Sequence, residues 1–279
     1  MVKQPVVVGL FLLFGSACTD GEDRWNKARM KVAAKASAGR HRFGDPAQPD
    51  SARMSAGRVL LQLDPEFLAS RYQAHPVLIR RLIDEAIAGG DTNGLPLVAR
   101  LFEASTGEQR IDFEVDLIAF GAAARPRLLE MLQRPDRSLV VRAADALAKT
   151  GATEAAGDIA SLLQHEDSWI RMGAAHALGQ LSAEAATAAL LTALSDSSYA
   201  VVNAALVGLG RQQVAVAYEP ALALLADARP EIRKHAAHTL GQIGNLGAIE
   251  VLQGVSKNDP DSGVRFMAGR ALKVLEDTE

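Results

Sequence analysis

The feature that most constrains this chain is that it repeats itself about every 31 residues. Ile170-Arg171-Met172-Gly173-Ala174-Ala175-His176-Ala177-Leu178-Gly179-Gln180 returns as Ile232-Arg233-Lys234-His235-Ala236-Ala237-His238-Thr239-Leu240-Gly241-Gln242. Laid in register, the units are 121–150, 151–181, 182–212, 213–243 and 244–275. One ladder runs Leu117, Leu147, Leu178, Leu209, Leu240 and Leu272, at intervals of 30, 31, 31, 31 and 32. A second runs Phe102, Leu132, Leu163, Leu194, Leu225 and Val255. An antiparallel bundle does not need a phrase to recur at fixed period, whereas an array of stacked supersecondary units does.

Each unit holds two apolar helical stretches. In 151–181 these are 155–164 and 170–181, joined by the polar turn His165-Glu166-Asp167-Ser168. Ile170, Ala174, Leu178 and Leu181 step by four, four and three, which is one face of an α-helix. Asp167/Ser168, Ser197/Ser198 and Asp261/Ser262 offer capping oxygens to the second helices. Gly121, Gly151 and Gly244 open units where a helix must stop in a left-handed residue. Aromatics make up only 5% of the chain, so the core must be built from Leu, Val, Ile and Ala. A hairpin of this length cannot bury its apolar face alone, so neighbours must stack. The expected fold is all-α, a solenoid of antiparallel helix pairs with a period of about 31.

The recurring phrase resembles the short HEAT repeats of bilin-lyase-like proteins, whose units run Leu-Leu, Asp, Val-Arg, Ala-Ala, Leu-Gly. The resemblance is clear over 121–275 and weak over 90–120, where Phe102 and Leu117 keep register. Residues 62–89 read as a cap to the 61–279 solenoid, opening with the helix start Asp64-Pro65-Glu66. Such a fold hosts many functions, so the resemblance speaks to architecture far more than to activity.

The N-terminus has a different character. Lys3 precedes an apolar run from Val6 to Phe14, and the small residues Gly15, Ser16 and Ala17 lead to Cys18, the single cysteine. The run is too short to span a bilayer and has the layout of a secretory signal over 1–17. A small-residue run ending on Cys resembles the lipobox of bacterial lipoproteins, which implies lipidation of Cys18. The chain is then exported and lipid-anchored in the cell envelope, facing the periplasm, with the outer membrane slightly favoured. Ordinary secretion as a soluble protein is the alternative. Residues 18–60 read as a lipidated N-terminus and flexible basic tether: over 19–60 there are 9 Lys/Arg against 5 Asp/Glu, with a short basic helix possible near Trp25–Ala38. Residues 61–279 carry 20 against 28.

A net charge of −3 lacks the basic footprint of a nucleic-acid binder. HEAT-like iron hydroxylases carry several His-Glu pairs on successive helices, but this chain has one, His165-Glu166, and it falls in a turn. His176 and His238 sit two units apart, about 20 Å at helix-packing spacing, too far to share an ion. No catalytic set, metal site or cofactor is expected on this reading, and the chain is expected not to be an enzyme. Arg171, Arg233 and Arg265, near Asp167, Glu231 and Asp261, suit an inter-repeat ion-pair ladder. Helical phase puts Asp145, His176, Val207, His238 and Arg270 in one row opposite the core leucines, and Lys149, Gln180, Arg211 and Gln242 in another. These rows should line a concave face that takes a protein partner, with Trp169 and Tyr199 as edge contacts. The expected role is a membrane-anchored scaffold, with an accessory enzyme or chaperone of the bilin-lyase-like class as the alternative.

Overall fold

A computed structural model describes the backbone of residues 19–277 and the side chains from residue 27 onward. The expected signal and Cys18 lie outside the described residues. Among the described residues there are sixteen α-helices and no strand, packed as an α-solenoid. No helix among them is long and apolar enough to cross a membrane. The chain divides into two compact units between Ala123 and Ala124.

The first unit holds α1 (Thr19–Gly44), α2 (Asp50–Leu63), α3 (Pro65–Arg71), α4 (Pro76–Gly89), α5 (Leu95–Ala104) and α6 (Gly107–Ala119). The stretch expected to be a tether is instead two helices packed on each other. Met54, Ala56, Gly57, Leu60 and Leu61 form a buried helical stripe on α2, and Phe43 at the end of α1 is fully buried. Arg53 interrupts that stripe in sequence but is itself buried. Its Nε donates to the Phe43 carbonyl at 2.9 Å, satisfying an orphan acceptor at the C-terminus of α1. Asp64 caps α3 as expected, accepting from the Phe67 amide at 3.1 Å with Pro65 in the first turn.

The second unit alternates first helices with second helices. The first helices are α7 (Arg125–Met131), α9 (Ala156–Ser161), α11 (Glu184–Ala193), α13 (Tyr218–Leu224) and α15 (Ile249–Asn258). The second helices are α8 (Arg137–Lys149), α10 (Ser168–Leu178), α12 (Tyr199–Arg211), α14 (Pro230–Ile243) and α16 (Ser262–Glu276). Each second helix packs on the next, forming one layer. Leu147, Leu178, Leu209 and Leu240 are fully buried between the layers. Leu132, Leu163, Leu194 and Leu225 are buried on the first helices. Gly121, Gly151 and Gly244 have φ of 57°, 66° and 77°, the left-handed conformation expected where each unit begins.

Two features tighten the stack. Gly179 and Gly208 face each other so closely that a Cβ on either would sit 2.7 Å from the other's Cα, letting α10 and α12 approach backbone to backbone. Gln212 reaches back one repeat, its Nε2 donating to the carbonyls of Leu178 and Leu181 at 3.1 and 2.8 Å. The buried Thr239 Oγ1 donates to the Leu206 carbonyl at 3.0 Å, joining α14 to α12.

The arginine ladder is present, with partners one repeat further on than the nearby acids suggested. Arg171 grips Asp196 through Nε and Nη2 at 2.8 and 3.0 Å, while its Nη1 donates to the carbonyls of His165 and Glu166. Arg233 grips Asp259 the same way at 2.8 Å twice and donates to the Asp227 and Ala228 carbonyls. Val202 stands where Arg171 and Arg233 stand in their units, so Asp227 has no such partner from the preceding repeat. Arg229 folds onto Asp227 instead, at 2.9 Å, and holds its carboxyl down at about 2.

A candidate binding face on the second helices

The second-helix layer is the face that sequence phase singled out, and its residues fall into two groups. Around Asp145 the expected residues do meet. Gln180 Nε2 donates to Asp145 at 2.6 Å, the Lys149 ammonium lies 2.6 Å from it, and His176 Nε2 is 4.0 Å away. Burial pushes the Asp145 carboxyl up, but the bonds from Lys149 and Gln180 outweigh it and leave the group below the ordinary range.

The other group surrounds an open groove between α10 and α12. It has a volume of about 340 Å³ and is lined by Met172, His176, Tyr199, Ala200, Asn203, Ala204 and Val207. Of the expected surface residues, His176, Val207 and Tyr199 border it; Trp169, at 52% exposure, does not line it. Arg211 and Arg270 are exposed, and His238 and Gln242 are half-buried. Gln242 Oε1 and Asn203 Oδ1 are buried without a hydrogen-bond partner. Met172 and Asn203 belong to a row one turn before the His176 row that sequence reading passed over. The signal was Asn203 itself, a poor helix former in an otherwise apolar helix, with no capping role to explain it.

Charge separates between the two layers. The five second helices carry ten Lys/Arg against three Asp/Glu, whereas the five first helices carry three against five. Arg171 and Arg233 are held at the turns, but Arg211, Lys234, Arg270 and Lys273 remain on the second-helix layer. A net-acidic body thus carries a cluster of cations on this layer.

Three histidines are biased against protonation. Burial lowers His235, helped by Lys234 and His238; burial and then Arg270 lower His238. Burial, Arg53 and Arg71 lower His75, whose Nδ1 lies 3.0 Å from the Arg53 guanidinium. The unfolded chain takes up protons at these sites before the folded chain does. Stability should therefore hold steady above pH 6.5, the ordinary histidine value, and fall as pH drops through the lowered values. Urea midpoints measured between pH 7.5 and 5 check this, and replacing His235 and His238 by Gln should flatten the slope.

His165 has a structural role. Its Nδ1 accepts the Asp167 amide at 3.0 Å. In the later turns Asp196, Asp227 and Asp259 accept the amide two residues on in the same way, at 2.7 to 2.8 Å. His165 thus takes an aspartate's place in the turn, and the His165-Glu166 pair is exposed. Among the described residues no three His, Cys, Asp or Glu side chains converge as a metal site would require. The donor set does not fit a hydroxylase metal centre.

Stacked helix pairs of this period, with a leucine ladder in each layer and arginines stitching the turns, define a HEAT-type solenoid. The family model for HEAT repeats matches residues 125–210 and 189–273, and the chain belongs to the HEAT-repeat family. Deoxyhypusine hydroxylase from Arabidopsis thaliana is 36% identical over 91 residues, which are 32% of this chain and 29% of that protein. The chain thus matches under a third of that relative's length. The expectation that the chain is not an enzyme is corrected by this match, because the curated relative is an enzyme. A chain without a recognisable catalytic cluster can still be related to an enzyme through its repeats. Among solved structures, human deoxyhypusine hydroxylase in complex with glycerol aligns over 90% of this chain and 99% of its own, at 20% identity and a TM-score of 0.40. An engineered protein aligns over 98% and 82%, at 21% identity and 0.48. The phycocyanin lyase complex of a Nostoc species aligns over 95% and 91%, at 19% identity and 0.35. These are likenesses of fold.

Proposed function

We propose that the chain is an accessory component of an enzymatic modification of a protein, and that its second-helix face holds the polypeptide concerned. The observation that carries this reading is the open apolar groove on that face, bordered by His176, Tyr199 and Val207, with the cations Arg211, Lys234 and Arg270 on the same layer. The partial similarity to a hydroxylase supports an enzymatic setting. Extended repeat surfaces suit polypeptides because successive units offer the same contact at regular intervals.

The triple variant His176→Ala, Arg211→Glu, His238→Ala changes two exposed positions and the half-buried His238. It should keep wild-type helicity, with stability within about 0.5 kcal/mol per site, since none of the three fills the core. Partner recovery on co-purification should fall about tenfold, because reversing a charge opposite a docked partner costs more than losing a rim contact. Equal recovery at matched expression would move the interface elsewhere, to the Trp169 edge or to the basic α1.

The proposal includes export and anchoring through Cys18, supported by the apolar run and small residues that precede it. Cys18→Ser should leave an unprocessed precursor and abolish metabolic acyl labelling. Labelling that persists in the variant would overturn the anchor.

A further inference from the structure

We infer that the groove between α10 and α12 takes an acidic polypeptide segment that seats one apolar side chain among Met172, Tyr199, Ala204 and Val207; this rests on the reading of the second-helix face as a polypeptide-holding surface. Two observations converge on that occupant. The groove floor and walls are mainly apolar, and about 340 Å³ accommodates a large side chain or two but no folded surface. Arg137, Lys149, Arg171 and Arg233 are held in ion pairs, and the cations that the layer offers an occupant are Arg211, Lys234, Arg270 and Lys273. Arg211 lies one turn beyond Val207 on the same helix, and Lys234 and Arg270 continue the basic rows on α14 and α16. An acidic segment running from the groove across α12, α14 and α16 passes one such cation on each of the three helices, on layers about 10 Å apart.

The apolar lining favours a polypeptide over a phosphodiester chain, because a peptide can place one apolar side chain among its carboxylates whereas a phosphodiester is charged at every unit.

The experiment uses the full chain in detergent and fluorescence anisotropy with four labelled probes. These are a twelve-residue Glu/Gly peptide with one central Phe, its Phe→Ala counterpart, a Lys/Gly peptide with one central Phe, and a twelve-nucleotide single strand. The Glu/Phe peptide should bind tightest, lose about tenfold in affinity on Phe→Ala, and weaken as salt rises. Ala204→Trp should fill the groove and abolish its binding, and Tyr199→Ala, at an exposed position, should weaken it without touching the core. Arg211→Glu combined with Arg270→Glu should erase the preference for the acidic peptide while leaving the Phe contribution. If the Lys/Phe peptide binds as well as the Glu/Phe peptide, and Ala204→Trp blocks both, the acidic preference is overturned while the polypeptide reading stands. If both groove variants fold like wild type and no peptide responds to either, the groove is not a polypeptide site and both conclusions fall. An oligonucleotide that binds more tightly than any peptide and is displaced by the groove variants overturns the inference in favour of nucleic acid.

Discussion

Leu209→Asp should leave a chain that melts far below the wild type or does not fold through its second unit. Leu209 is fully buried in the middle of the stack, with repeats on both sides. Nothing cationic accompanies it there: the α12 stripe is Val201, Val202, Ala205, Leu206, Gly208 and Leu209. The variant therefore loses the burial of a leucine, about 2–5 kcal/mol, and adds an unpaired carboxylate that must be desolvated or protonated. The combined loss rivals the whole stability of a marginal domain, roughly 5–15 kcal/mol. Thermal and urea unfolding followed by circular dichroism measures it, and hydrogen exchange should show α10 and α14 loosening with α12, because coupling in an array is between neighbours. A curve matching wild type would mean that the repeat register is wrong.

Gly208→Leu should be comparably severe for the opposite reason. Here nothing is removed; a side chain is placed where its Cβ alone would sit 2.7 Å from the Gly179 Cα and 3.2 Å from the Leu190 side chain. The obstacle is backbone, which cannot rotate aside, so α10 and α12 must separate. We expect a loss of at least about 3 kcal/mol and weakened hydrogen bonds from Gln212 to Leu178 and Leu181, which depend on the same close approach. Gly208→Ala should show a smaller loss in the same direction. Gly254→Ala serves as the control: it lies on an exposed helical surface with nothing within 4 Å of a new Cβ, and it should be neutral or slightly stabilising. If Gly208→Leu unfolds at the same urea concentration as wild type, the close approach of the two helices is not present in solution.

The parts of the fold that were legible in sequence are those set by one residue's relation to its own helix or turn. The two ladders follow from helical period alone, and Leu147, Leu178, Leu209 and Leu240 are all fully buried. Gly121, Gly151 and Gly244 were readable because a left-handed residue at a helix end nearly demands glycine. What escaped depends on relations across elements. Asp196 is the partner of Arg171 although Asp167 is closer in sequence, because the guanidinium points across the repeat and Asp167 is occupied capping α10. Ser198 stands at the start of α12 without a capping bond from its side chain, while Asp196 accepts its amide. The packing of α1 on α2 was hidden because its stripe includes a buried arginine and a glycine that read as loop. At the candidate site, His176 and Val207 were found by phase, but the groove needed Met172 and Asn203 from a row that carries no repeated residue type. The basic layer was invisible because acids in the turns, such as Asp136, Asp167, Asp196, Asp227 and Asp259, cancel it in any running sum along the chain.

The alternation of Arg and Val along the turn edge also sets which joints of the second unit are stitched by charge. A bidentate ion pair ties the 151–181 repeat to the 182–212 repeat, and another ties 213–243 to 244–275. Between 182–212 and 213–243, Val202 occupies the arginine position, and among the described residues no ion pair bridges the two; apolar packing of α12 on α14 and the buried bond from Thr239 to Leu206 hold that joint. The consequence is a difference in what each joint answers to: salt and acid act on the two charged seams, whereas the seam just beyond the groove, which an occupant reaching from Tyr199 to Lys234 has to cross, is insensitive to both.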